Sequence, residues 1–219
     1  SKHWYRALTG ERLKAVSAAD EETPFAPVPV PDDAEISTFA GEALLTLRSD
    51  WKPAGGASEG FKAGALLTLP MADVMKEDWS KVLVLFEPTP SKSLQSTTTT
   101  RDYVVLSVLE DVRKTLVVWK KNSAVEGPSF LHLPAPDGVQ AVGVGEDVAV
   151  SNVNRDDSMD NRLFLWRDGF LVPDTLELVP DVANLVAAPA EAGAEGAAAE
   201  ASSAAANNIL LKSKPSMFD

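Results

Sequence analysis

Residues 56–60 read Gly56-Ala57-Ser58-Glu59-Gly60, a match to the G-x-S-x-G pattern that places a nucleophilic serine on a sharp turn. That chemistry needs a buried strand ending at the motif and a helix starting directly after it, so that the hydroxyl is held on a strained backbone. Here Trp51-Lys52-Pro53-Ala54-Gly55 precedes the motif, which is loop chemistry, and Phe61-Lys62 leads toward a strand. Ser58 is therefore expected in a glycine-rich turn and not as a nucleophile. An activated serine also needs a general base within hydrogen-bond reach, oriented by a carboxylate. Only His3 and His132 are available. His3 lies at an end expected to fray. His132 alternates with Leu131 and Leu133, which turns it away from their face toward solvent or a polar neighbour.

A second candidate is the acidic run at 152–161, where Asp156, Ser158 and Asp160 have the alternating oxygen spacing of a calcium loop. An EF-hand would then require Gly at the sixth position and Glu at the twelfth. This chain has Asn161 and Arg167 there, so a solvated turn is the reading taken. The absence of cysteine removes thiolate metal sites, disulfides and a cysteine nucleophile together. The Thr97–Thr100 run is explained by strand propensity. Trp4, Trp51, Trp79, Trp119 and Trp166 are too scattered for a stacking platform and are expected to pack between sheets. No residue is assigned as catalytic, cofactor-binding or metal-ligating, and no cofactor is expected.

The elements that carry these residues are short apolar runs. Strands are expected at 13–17, 42–48, 64–69, 81–86, 103–108, 115–119, 138–144, 147–152, 161–166 and 174–179, each rich in Val, Leu, Thr or an aromatic. Turn residues cluster between them, as in KPAGG, EPTPS and APDG. Only 70–79 reads as a helix, with Pro70 in its first turn and Met71 and Val74 on one face. PVPVPDD (27–33) reads as an extended surface connection. Strands without intervening long helices mean an all-β chain: a sandwich, a barrel or propeller blades. At roughly 40–50 residues per blade, the chain holds three to four blades.

Lys and Arg number 20 against 32 Asp and Glu, a formal net charge of −12. Nucleic-acid affinity comes mainly from cations that displace counterions from phosphates, so neither nucleic acid nor an anionic membrane is an expected partner. No run reaches the ~20 apolar residues of a membrane helix. The opening SKHWYRALTG has no initiator Met and no signal pattern, and reads as a chain cut from something longer. Lack of cysteine fits a reducing compartment, and the cytoplasm is the expected location.

Four segments then fall into a familiar order. Leu47-Arg48-Ser49-Asp50-Trp51 precedes a glycine-containing loop and Ala63-Gly64-Ala65-Leu66-Leu67. Residues 81–119 carry Phe86-Glu87-Pro88, Ser93-Leu94, Thr100-Arg101-Asp102 and the hairpin Leu109-Glu110-Asp111-Val112-Arg113, whose turn is expected at Glu110-Asp111. Phe170-Leu171-Val172-Pro173-Asp174-Thr175-Leu176 follows, and Leu211 to Asp219 closes the chain. In this order the segments resemble the late blades of the seven-bladed propeller of the prolyl oligopeptidase family of serine peptidases, with the family's hydrolase domain absent. The resemblance implies an all-β partial propeller, with a poorly matched first strand and Pro-rich loop at 1–34 and late blades at 35–186. It further implies a disordered Ala-rich insertion at 187–206, and a last strand with an exit toward the hydrolase domain at 207–219.

The resemblance also implies a function. Such a propeller caps the active site of a serine endopeptidase, admitting short proline-containing peptides and excluding folded proteins. The chain alone, without the Ser/Asp/His triad, is expected to be inactive, and its expected partners are that hydrolase domain and short peptides. Arg101 and Arg113 are candidates for the channel lining. An isolated run of blades is expected to be marginally stable or to associate. The alternative is a free-standing propeller-like scaffold, and an unrelated β-sandwich binding domain is disfavoured by the motif order.

Overall fold

The computed structural model describes residues 2–5, 25–54, 59–124, 127–133, 146–153, 160–169, 173–186 and 208–214. The chain divides into two compact units, Ser1–Glu87 and Pro88–Asp219. In the first, β1 (Trp4–Tyr5) and β2 (Ala26–Pro27) form a small antiparallel pair. Beside them β3 (Glu35–Phe39), β4 (Glu42–Thr46), β5 (Leu66–Pro70) and β6 (Leu83–Phe86) make a four-stranded antiparallel meander in chain order. The β3–β4 turn places Ala40 and Gly41 at φ 48° and 83°, the pair of positive values that a tight hairpin turn of the right twist requires.

Between β5 and β6 the chain makes α1 (Met71–Val74), shorter than the helix expected over 70–79. Pro70 ends β5 and caps α1, since a proline nitrogen has no hydrogen to leave unpaired at a helix start. Met71 and Val74 turn inward as the sequence pattern requires, and pack with Val28, Ala43, Leu69 and Trp79. Val28 is buried and its amide donates to the His3 carbonyl, so the proline-alternating segment is anchored to the unit rather than lying wholly on the surface.

The second unit holds two further meanders. One is β7 (Lys92–Thr99), β8 (Tyr103–Glu110), β9 (Arg113–Lys121) and β10 (Phe130–Leu133); the other is β11 (Glu146–Asn152), β12 (Leu163–Gly169), β13 (Thr175–Val179) and β14 (Ile209–Ser213). They pack face to face. Tyr103, Val105, Leu116 and Val118 of the first sheet meet Val148, Val150, Leu163, Leu165 and Val179 of the second, with Val182 and Leu185 of the following 3-10 turn closing the cluster. Each fully buried Val or Leu contributes about 1.5–3 kcal/mol from apolar area removed from water. Val104, Leu106 and Val108, on the opposite face of β8, are also fully buried, so β8 is a central strand on both sides.

Three four-stranded blades are thus present among the described residues, and the fold is a nearly all-β partial propeller. Several expectations shift. The β8–β9 turn is Asp111-Val112, both at positive φ, while Glu110 pairs with Arg113 as the last rung. Trp51 and Trp79 stack edge-on at 4.8 Å inside the first unit, whereas Trp4 and Trp166 are exposed instead of packed between sheets. The strands expected at 13–17 and 138–144, and the Ala-rich stretch 187–206, lie outside the described residues.

Candidate functional site

The densest polar cluster among the described residues lies where Thr100-Arg101-Asp102, the turn between β7 and β8, meets the connection between β11 and β12. Asn161 is its hub, only 5% exposed. Its side-chain oxygen accepts from the Thr100 hydroxyl at 3.2 Å and from the Asp102 amide at 3.0 Å. Its Nδ2 donates to the Asp102 carboxylate at 2.8 Å. A backbone amide can only donate and a carboxylate only accept, so these two contacts fix which way the Asn161 amide faces. The Asn161 carbonyl accepts from Val182 and the Asp160 carbonyl from Arg101, tying the two sheets further. Thr98 and Asn152 add bonds to the carbonyls of Val150 and Thr99 across the same boundary.

Arg101 lays its guanidinium on the Asp102 carboxylate at 3.0 Å. The Asn161 amide, more than this cation, holds the Asp102 carboxyl below the usual carboxylate range, against the opposing pull of partial burial. Asp160 is engaged by Arg162 at 2.6 Å. Asp156 and Ser158 lie outside the described residues, and among those described no cluster of metal-ligating side chains occurs. Chemically the cluster is a clasp: its donors and acceptors are spent on each other, and Arg101 is the exposed charge it presents. Arg113 is also exposed but lies at the far end of β8–β9, so the two arginines are not brought together.

The histidines are placed apart from any serine or carboxylate partner. His3 Nε2 donates to the Ala34 carbonyl at 2.8 Å, so this residue is held in place rather than frayed. His132 is exposed on β10 and its ring meets Trp119, its cross-strand neighbour on β9, at 5.0 Å. Ser58 lies outside the described residues, but its surroundings are defined. Trp51 and Phe61 exchange two backbone hydrogen bonds of 2.9 and 2.7 Å, closing the loop that contains it. Gly60 adopts φ +75°, and a Cβ there would come 2.9 Å from the Trp51 carbonyl oxygen. The last glycine of the motif is required by this turn, and the chain proceeds from it to β5 with no helix.

No protein-family model matches the chain. It is 33% identical over 152 residues to the uncharacterized peptidase y4nA of Sinorhizobium fredii, covering 68% of this chain and 19% of that protein. It is 30% identical over 122 residues to the uncharacterized peptidase RP174 of Rickettsia prowazekii, covering 54% of this chain and 16% of that one. A solved post-proline cleaving enzyme from Rickettsia typhi shares the fold over 72% of this chain and 21% of its own, with TM-score 0.56 and 23% identity. The chain is related to the prolyl oligopeptidase family. It spans about a fifth of the length of these relatives.

Within this prolyl oligopeptidase relative, the segments that carried the resemblance are the ones that build blades. Leu47 and Ala65 join β4 to β5 through a backbone bond of 3.0 Å, and residues 81–119 supply β6 to β9. Asn161 was missed as a hub: in sequence it is one polar residue in a polar run, 61 positions from Thr100. No helix among the described residues is long and apolar enough to cross a membrane.

Proposed function

We propose that this chain is the non-catalytic, substrate-gating part of the propeller of a serine endopeptidase that hydrolyses short proline-containing peptides in the cytoplasm. The observation that carries the reading is the match to peptidases over 68% of the chain, on a fold built of propeller blades. In this reading residues 35–186 are late blades, 187–206 an insertion, and 207–219 the last strand and the path to a hydrolase domain that supplies the Ser/Asp/His triad. The propeller's contribution is steric. A rigid ring of packed sheets leaves a narrow route to the nucleophile, so that an extended short peptide passes and a folded chain does not. The clasp around Asn161 supports this role by fixing one blade against its neighbour, so that the route keeps its width.

The test uses a fluorogenic peptide with an internal proline. The 219-residue chain alone should not cleave it. The full gene product should, with block by a serine-directed inhibitor and no attack on folded protein. Inhibitor-sensitive hydrolysis by the 219-residue chain overturns the assignment. A gene product with no hydrolase domain favours the free-standing scaffold.

A further inference from the structure

The second unit contains its own control for what a blade face needs. In the β7–β10 sheet, the face bearing Tyr103, Val105, Leu116 and Val118 is covered by the β11–β14 sheet. The β11–β14 sheet uses its Val148, Val150, Leu163, Leu165 and Val179 side for that contact, which leaves its other side facing away. Register defines that outward face. Ser151, Phe164, Leu178 and Ile209 lie opposite one another across the four strands, and Ala149, Trp166, Leu176 and Lys212 form the adjacent row. Residues directly opposite on neighbouring strands share a face, so Phe164, Trp166, Leu176, Leu178 and Ile209 make one contiguous apolar surface. Trp166 is 48% exposed and Ile209 52%. Soluble proteins seldom leave a patch of this kind uncovered.

We propose that this outward face is an interface for a further four-stranded sheet, supplied by the parent polypeptide beyond the 219 residues of this chain; the inference rests on the proposed reading of the chain as part of a longer peptidase. Two observations choose that occupant. The first is repetition: the face in the same position on the preceding sheet is covered by a sheet lined with Val and Leu, and the new face continues that interface in register. The second is length, because the relatives are about five times longer than this chain and have the material to supply another sheet. A second copy of this chain is the weaker candidate, since each copy carries a net charge of −12 and opposes its like.

Hydroxyl-radical footprinting of the 219-residue chain and of the full gene product distinguishes these. Trp166 and Ile209 should be labelled several-fold less in the full product, while Val112, exposed at a hairpin tip, is labelled equally in both. Trp166→Ala should lower the denaturation midpoint of the full product and leave that of the 219-residue chain nearly unchanged, with Trp166→Phe restoring most of the loss. Equal labelling of Trp166 in both proteins overturns the proposal, as does a gene product containing no sequence beyond this chain. Protection in the chain alone that rises with concentration, with a dimer in sedimentation, assigns the face to a second copy and also overturns it. Peptide hydrolysis measured on the same samples is independent. Protection without hydrolysis keeps the interface and removes the peptidase reading, whereas hydrolysis without protection does the reverse.

Discussion

Val112 is the residue whose replacement says most about how the β8–β9 hairpin is held. It sits at φ +68° beside Asp111 at +46°, in a turn that asks for Asn or Gly, and its side chain is 72% exposed. An L-residue in this region is strained by roughly 1–2 kcal/mol, and a β-branched one is a true outlier. Val112→Gly releases that strain. Against it stands the greater freedom of glycine in the unfolded chain, about 0.4–1 kcal/mol. With little apolar area buried there to lose, the net gain is about 0.8 kcal/mol, or roughly 2–3 °C in Tm for a chain of this size. Val112→Ala keeps the positive φ and should gain nothing. Urea titration with an unchanged m-value is the assay. If the Gly variant is no more stable than the Ala variant, the turn carries no strain and the argument is wrong.

Other substitutions test the clasp, the core and the serine motif. Asn161→Ala leaves the Asp102 amide and the Thr100 hydroxyl without their shared acceptor, and should destabilise by about 2–4 kcal/mol in chemical denaturation. The Asp102 carboxyl is depressed in the folded protein, so its contribution is full above the ordinary carboxylate pKa and lost as pH falls through the lower folded value. Melting temperature measured across this acid range should therefore drop less steeply in Asp102→Asn than in the unmodified chain. Leu165→Ala, in the core between the two sheets, should cost about 2–5 kcal/mol in the same urea assay. Gly60→Ala should destabilise by more than about 1 kcal/mol, because its φ and the nearby Trp51 carbonyl both oppose a Cβ. Ser58→Ala should leave both stability and any peptidase activity of the full gene product unchanged.

What could be read from sequence follows from how local each cause is. β4, β5, β8 and β9 announce themselves because their apolar runs are dense and bounded by turn residues, and β8 is buried on both faces. β7 did not, since KSLQSTTT is an edge strand with polar residues exposed on it, and its ladder is set by β8 rather than by its own composition. β3 is similarly half exposed. The turn at Asp111-Val112 was displaced by one residue because valine is a poor sequence signal for positive φ. The Asn161 hub is a long-range effect: its partners come from another sheet, and no local pattern encodes a hydrogen bond across that distance. The exposed Trp166 face depends on which neighbour is present, which spacing within one sheet cannot specify.

Each of the four-stranded sheets is assembled from strands that follow one another along the chain. The β8–β9 ladder runs from Tyr103↔Lys120 to Glu110↔Arg113 and is closed by a turn of only two residues, so little chain entropy is spent before its contacts form. Such short-range pairing favours rapid assembly for a β protein. As the polypeptide leaves the ribosome, β7–β10 can zip up before β11 is synthesised, and its waiting apolar side then serves as the template on which the next sheet condenses.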